Sequence, residues 1–228
     1  MRLRVLVLGL AFFAAAVVVA VQPYLASGHT PNLNRPCTIT GTSGADTLGG
    51  TPLSDVICGL GGNDTISDES GNDTYLFAKG WGADVLTEGG TGSGDLADVV
   101  QFTDVASTEV SFERRGNDLL LKRGTTGDQL TVTNFYNYNY YYAVYVPPQI
   151  EQFRFTDVTL DVNSVMSRAT TYGTAAADVL SAYYTPTGQR MYLGDGNDSI
   201  QGSQFADTIN LEAGDDYVQA YAGNDTLD

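Results

Sequence analysis

Histidine is almost missing from this chain of 228 residues: His29 is the only one. Imidazole proton transfer and histidine-activated nucleophiles are therefore excluded as a basis for function. Positive charge is also scarce, with 11 Lys and Arg against 27 Asp and Glu and a formal net charge of −16. Such a surface excludes nucleic acid as a partner, because phosphates call for Lys and Arg. It suits a protein neutralised by divalent cations. No H-E-x-x-H, G-x-S-x-G or phosphate-cradling loop occurs. A paired-carboxylate hydrolase stays open on composition alone. Eight aspartates, however, have positions explained by a repeat, and Glu88, Glu109, Glu113, Glu151 and Glu212 follow no pattern. The chain reads as a non-enzyme.

Long apolar runs are absent except for Val5 to Val21, with Arg2 and Arg4 before it and Ala26-Ser27-Gly28 after it. Residues 1–28 read as a secretory signal peptide, which places the remainder outside the cytoplasm with a start near His29. The alternative is a retained anchor, since the run reaches the lower length limit for a membrane span. Only in that case is the membrane a partner. Cysteine is limited to Cys37 and Cys58, and outside the cell two cysteines usually pair.

What the chain does have is aspartate every nine residues. The stretch 41–76 divides into GTSGADTLG, GTPLSDVIC, GLGGNDTIS and DESGNDTYL, with Asp46, Asp55, Asp64 and Asp73 at the sixth place. The stretch 193–228 divides into LGDGNDSIQ, GSQFADTIN, LEAGDDYVQ and AYAGNDTLD, with Asp198, Asp207, Asp216 and Asp225. The eighth place is apolar throughout. This period resembles the calcium-binding nonapeptide of the repeats-in-toxin (RTX) family, G-G-x-G-x-D-x-U-x. The resemblance implies an all-β chain with right-handed parallel β-roll (β-solenoid) arrays at both ends of a β-rich middle domain. It also implies that six residues turn, three form a strand, and two units make one coil. Glycine allows the tight turn, and aspartate supplies the hard oxygen that Ca²⁺ prefers. The alternative from the residues alone is a metal-free solenoid with Asp-Gly turns.

On that reading, turns n and n+2 hold Ca²⁺ between them. The pairs are Asp46 with Asp64, Asp55 with Asp73, Asp198 with Asp216, and Asp207 with Asp225. Gly44, Gly62, Gly196 and Gly214 hold the fourth place in the first and third pairs. Leu53 and Phe205 replace glycine in the others, so each array is expected to have one better and one weaker side.

The first array is expected over 32–76, led by the degenerate unit NLNRPCTIT (32–40) with Cys37 at the aspartate place. In a regular stack Cys37 and Cys58 would lie roughly 10 Å apart. A bridge then requires the leading unit to leave the register as a cap; the alternative is two separate thiols. Residues 71–165 resemble a haemolysin-type calcium-binding-related domain, on GNDTYLF and IEQFRFTD, with the domain itself expected over 77–165. Alternating apolar and polar residues there also predict strands, with a hairpin turn at 114–118. An insertion follows, NFYNYNYYYAVYVPP (134–148). Tyr136, Tyr138, Tyr140, Tyr141, Tyr142 and Tyr145 form either a hairpin covering the roll or an exposed platform for glycan or another cell-surface partner. The second array is expected over 173–228, with GTAAADVLS (173–181) as a degenerate unit and 182–192 as an interruption. The function expected is a secreted calcium-binding protein of structural or binding role. The alternative is the non-catalytic part of a larger secreted hydrolase, toxin or adhesin.

Overall fold

A nonapeptide with one apolar residue at its eighth place buries that residue alone, and the rest of its strand faces out. β2 (Thr47–Gly49) and β4 (Thr65–Ser67) show this, each with its central residue buried between exposed neighbours. The computed structural model describes residues 36–89, 97–136, 138–139, 144–145, 150–183 and 185–228, with only the backbone of 138–139 and 144–145. Residues 1–28, read above as a signal peptide, and the side chains of Tyr138, Tyr140, Tyr141, Tyr142 and Tyr145 lie outside what is described.

The strands alternate between two sheets, which is the connectivity of a parallel β-roll. β1 (Ile39–Thr40), β3 (Val56–Cys58), β5 (Thr74–Phe77) and β7 (Val99–Phe102) stack in parallel on one side. β2, β4 and β6 (Ala83–Thr87) stack on the other. Inside, Leu48, Ile66 and Leu86 form one column, and Ile39, Ile57, Tyr75 and Val100 form the facing one. Each fully buried side chain of this size contributes about 1.5–3 kcal/mol.

The middle of the chain continues the same sheets. β8 (Val110–Arg115) and β9 (Asp118–Arg123) form the expected hairpin, with Gly116 at φ 58°. β10 (Gln129–Val132) runs antiparallel to β9 and parallel to β6. β11 (Tyr138–Asn139) and β12 (Val144–Tyr145) pair as a small separate hairpin. β13 (Gln152–Arg154) extends the first sheet beside β7, and β14 (Thr159–Asp161) ends it. A short helix, α1 (Val162–Arg168), starts where the Asp161 carboxylate accepts a hydrogen bond from Ser164 N–H at 2.8 Å, satisfying one of the free helical donors. Aromatic rings fill the centre, with Phe102 stacked on Phe155 at 4.8 Å.

The second array follows: β15 (Thr170–Tyr172), β16 (Val179–Ser181), β17 (Arg190–Tyr192), β18 (Ser199–Gln201), β19 (Thr208–Asn210), β20 (Tyr217–Gln219) and β21 (Thr226–Leu227). β16, β18 and β20 make a three-stranded sheet. The others join a ten-stranded sheet in the order β2-β4-β6-β10-β9-β8-β15-β17-β19-β21. One sheet thus runs through both arrays and the middle, and neither 76/77 nor 165/173 is a sheet boundary.

Three expectations are corrected. The leading unit does not leave the register, for Ile39 pairs with Ile57 and Thr40 with Cys58. Cys37 and Cys58 are nevertheless bridged, with Cα atoms 6.0 Å apart. The 10 Å expectation assumed an extended path back from Ile39, whereas the chain bends at Thr38, whose N–H donates to Val56 O at 2.8 Å. The bend turns Cys37 over β3, where it helps cover Val56, Cys58 and Leu76. Second, residues 182–192 are not a plain interruption. They supply β17, in register with β15 and β19, and Gln189 stands where a repeat has aspartate. Third, Tyr136 belongs to no exposed platform. It is buried against Phe135, under the Arg114 guanidinium at 4.6 Å.

Thr171 occupies an inward place in the second array, beside Met191, and its buried Oγ1 has no hydrogen-bond partner. An unpaired buried hydroxyl costs about 1–3 kcal/mol. Thr171→Val keeps the shape and is expected to raise stability by about 1 kcal/mol, read as a higher urea midpoint at unchanged slope. A lower midpoint would refute this account of the site.

Candidate metal centres

The repeat aspartates form ladders along the roll. Asp46 N–H donates to Asp64 Oδ1 at 2.9 Å, and Asp64 N–H donates to Asp84 Oδ1 at 2.8 Å. On the opposite side Asp55 N–H donates to Asp73 Oδ1 and Asp73 N–H to Asp98 Oδ1, both at 2.6 Å. Asp98 N–H then donates to Glu151 Oε2 at 2.7 Å. The second array repeats the arrangement with Asp178, Asp198 and Asp216 at 2.8 and 2.9 Å, and with Gln189, Asp207 and Asp225 at 2.7 and 3.0 Å. The structure therefore brings together all four pairs read from the sequence.

It also adds residues. Asp84 lies at the sixth place of KGWGADVLT (79–87), a further nonapeptide displaced by two residues after β5. Asp98 closes the other ladder after a longer insertion. Asp55, Asp68 and Asp73 place carboxylate oxygens within 4.8 Å of one another, as do Asp73, Glu88 and Asp98, and all five residues are buried. Tyr75 hydroxyl donates to Glu88. Asp68 and Glu88 gave no signal in sequence, because neither stands at the sixth place.

After the first residue of each ladder, one carboxylate oxygen of every aspartate accepts from the backbone N–H of the ladder residue before it. The other decides what the site can do. Oδ2 of Asp64, of Asp84 and of Asp198 accepts no hydrogen bond, although these residues are only 1–2 % exposed. A buried carboxylate oxygen without a donor is costly. Hard anionic oxygen is what Ca²⁺ prefers, with carbonyls completing the shell, so these residues fit a calcium ion. Gly62 approaches Gly44 so closely that a Cβ would sit 2.5 Å from the Gly44 carbonyl, which sets successive turns one against the other.

Burial also moves protons. Desolvation raises Asp64 above its ordinary value. Desolvation pushes Asp84 up to about 7, the charges of Asp64 and Asp128 adding to it against the hydrogen bond with Asp64 N–H. Asp68 is likewise pushed to about 7 by desolvation, with Asp73, Glu88 and Asp55 adding. A group whose folded pKa is raised stabilises the metal-free fold fully below its unfolded pKa, and this is lost as pH rises through the folded value. Glu109, Asp157 and Asp161, held low by hydrogen bonds with Ala106, Ser107 and Ser164, stay charged in that window. Metal-stripped protein is therefore expected to have a higher urea midpoint near pH 5 than near pH 8. The reverse order would refute the assignment of Asp84 and Asp68.

Comparison with known families agrees with this geometry. A family model described as the RTX calcium-binding nonapeptide repeat matches in four copies over residues 49–86 and 192–227. A second, the haemolysin-type calcium binding protein related domain, matches residues 118–164. No curated protein matches the chain. Among the described residues, no helix is long and apolar enough to cross a membrane.

Proposed function

From a chain that carries RTX calcium-binding repeats on both sides of a haemolysin-type calcium-binding-related domain, we propose an extracellular calcium-binding β-roll protein whose repeat coils fold on binding the ion. Its role is structural or binding rather than catalytic. The observation that carries the reading is the set of buried, unpartnered oxygens on Asp64, Asp84 and Asp198. They recur in both arrays at the same place of the turn. The basic and apolar residues of segment 1–28 support the extracellular placement, and calcium is plentiful there. Equilibrium dialysis of metal-stripped protein against calcium tests the reading. Several bound equivalents are expected, lost when Asp64 and Asp198 are both changed to alanine. Wild-type protein that binds no calcium would overturn it.

A further inference from the structure

Apart from the turns of Asp73 and Asp98, the repeat aspartates lie in turns of two kinds, distinguished by the second residue of the nonapeptide. In one kind that residue is Thr or Ser, and it closes on the aspartate of its own turn. Thr42 donates N–H and Oγ1–H to Asp46 Oδ2 at 2.6 and 2.8 Å. Thr51 does the same to Asp55 Oδ2 at 2.8 and 2.7 Å, and Thr174 to Asp178 Oδ2 at 2.6 and 3.1 Å. Ser203 donates N–H to Asp207 Oδ2 at 2.7 Å and Oγ–H to Asp207 Oδ1 at 2.8 Å.

In the other kind the second residue is left-handed: Leu60 (φ 74°), Gly80 (87°), Gly194 (81°), Glu212 (58°) and Tyr221 (67°). Its N–H makes no such bond, and in three of these turns the buried Oδ2 stands alone, on Asp64, Asp84 and Asp198. Leu60, Glu212 and Tyr221 are not glycine, and a side chain in this region costs about 1–3 kcal/mol. The turn of Leu60 and Asp64 thus combines left-handed strain with an unpaired buried carboxylate oxygen. The turns that Thr or Ser closes have no left-handed second residue and no buried unpaired carboxylate oxygen.

The closed turns have a fixed place. Asp46, Asp55, Asp178 and Asp207 are each the first aspartate of their ladder along the chain. Open turns come only after them. Resting on the calcium reading above, we infer that the hydroxyl-closed turns at 42–46, 51–55, 174–178 and 203–207 are metal-independent starts to each ladder. In the ladders of Asp46, Asp178 and Asp207 the cations are confined to the open turns, those of Asp64, Asp84, Asp198, Asp216 and Asp225. In a closed turn an N–H and an O–H already point their hydrogens at the carboxylate. A cation arriving there would meet positive dipoles rather than lone pairs. In an open turn the same oxygen faces no donor.

Two measurements test this. Calcium-loaded wild-type crystals should show ions in the turns of Asp64, Asp84 and Asp198, with the Thr42–Asp46, Thr51–Asp55, Thr174–Asp178 and Ser203–Asp207 hydrogen bonds intact. An ion that displaces any of the four hydroxyls overturns the partition. In solution, dialysis against calcium should give Asp178→Asn the wild-type number of bound ions and Asp198→Asn at least one fewer. Equal losses from both variants overturn it as well. Wild-type protein that binds no calcium refutes the calcium reading itself, whereas calcium bound in the closed turns refutes only the partition.

Discussion

Metal-stripped protein is expected to lose much of its β-sheet circular dichroism and to regain it in millimolar calcium, with the loss concentrated in residues 173–228. The two arrays differ in what lies beneath them. Coils of the first array share one continuous core with the middle, from Leu48 and Ile57 through Trp81 and Phe102 to Phe153 and Met166. The second array has its own small cluster of Leu180, Ala182, Met191, Leu193, Ile200 and Ile209. Six side chains, one of them only alanine, do not offset the roughly 1–2 kcal/mol of backbone entropy lost per ordered residue. Tyr217, Tyr221 and Leu227, further along the array, are exposed and add little. Its ladder also holds Asp198 with an unpartnered buried oxygen. A site that binds only the folded form contributes RT ln(1 + [L]/Kd), about 4 kcal/mol at a thousandfold excess over Kd. A few such sites exceed what the cluster supplies. Hydrogen exchange followed by peptide should show 173–228 unprotected in chelator and protected in calcium. Peptides from β8, β9 and β10 should be protected in both conditions. An unchanged spectrum on adding calcium would sink the coupling of folding to binding, and uniform loss over the chain would sink its assignment to the second array.

The period of nine made the ladders legible, because stacking in a roll converts a sequence offset of 18 directly into contact. Asp46 over Asp64 and Asp198 over Asp216 need nothing else. Where an insertion breaks the count, the same physics is present but hidden. Phe77, which lengthens β5 to four residues, and Ala78 add two to the count, so Asp84 follows Asp64 by 20. Asp98 follows Asp73 by 25. In both cases the next strand is back in register, Leu86 beside Ile66 and Val100 beside Tyr75, because its apolar residue needs the column. Gln189 was unreadable for another reason: the place is occupied by a residue that keeps the backbone bond to Asp207 but lacks the charge. The hydroxyls at the second place were in plain sight as G-T and G-S, yet their role depends on the φ of that residue, which composition does not give. The bridge from Cys37 to Cys58 failed as geometry and held as chemistry, because a single bend at Thr38 removes the distance that an extended path implies.

The same difference between first and later turns governs the fourth-place glycines, and it reverses the weight that sequence gave to Leu53 and Phe205. Those two side chains obstruct nothing. They are 73 % and 47 % exposed and stand in the turns of the first aspartates of their ladders. Gly44 is equivalent: a Cβ there would meet only Thr42 Oγ1, at 3.8 Å. In later turns the situation changes. A Cβ on Gly62 would lie 2.5 Å from the Gly44 carbonyl, and one on Gly82 only 1.7 Å from the Gly62 oxygen. Both glycines also have positive φ, 119° and 92°. Neither neighbour can yield cheaply, since each is backbone held in the ladder. Left-handed strain of about 1–3 kcal/mol and overpacking of about 1–3 kcal/mol then act together. Gly82→Ala is accordingly expected to destabilise the calcium-loaded protein by about 3 kcal/mol or more and to lower its calcium affinity. Gly62→Ala should act in the same direction, while Gly44→Ala should be within about 0.5 kcal/mol of wild type, as for a surface site. Urea unfolding of the three variants at fixed free calcium reads the difference. A Gly44→Ala loss as large as that of Gly82→Ala would show that glycine at this place serves its own turn rather than the approach of the next coil.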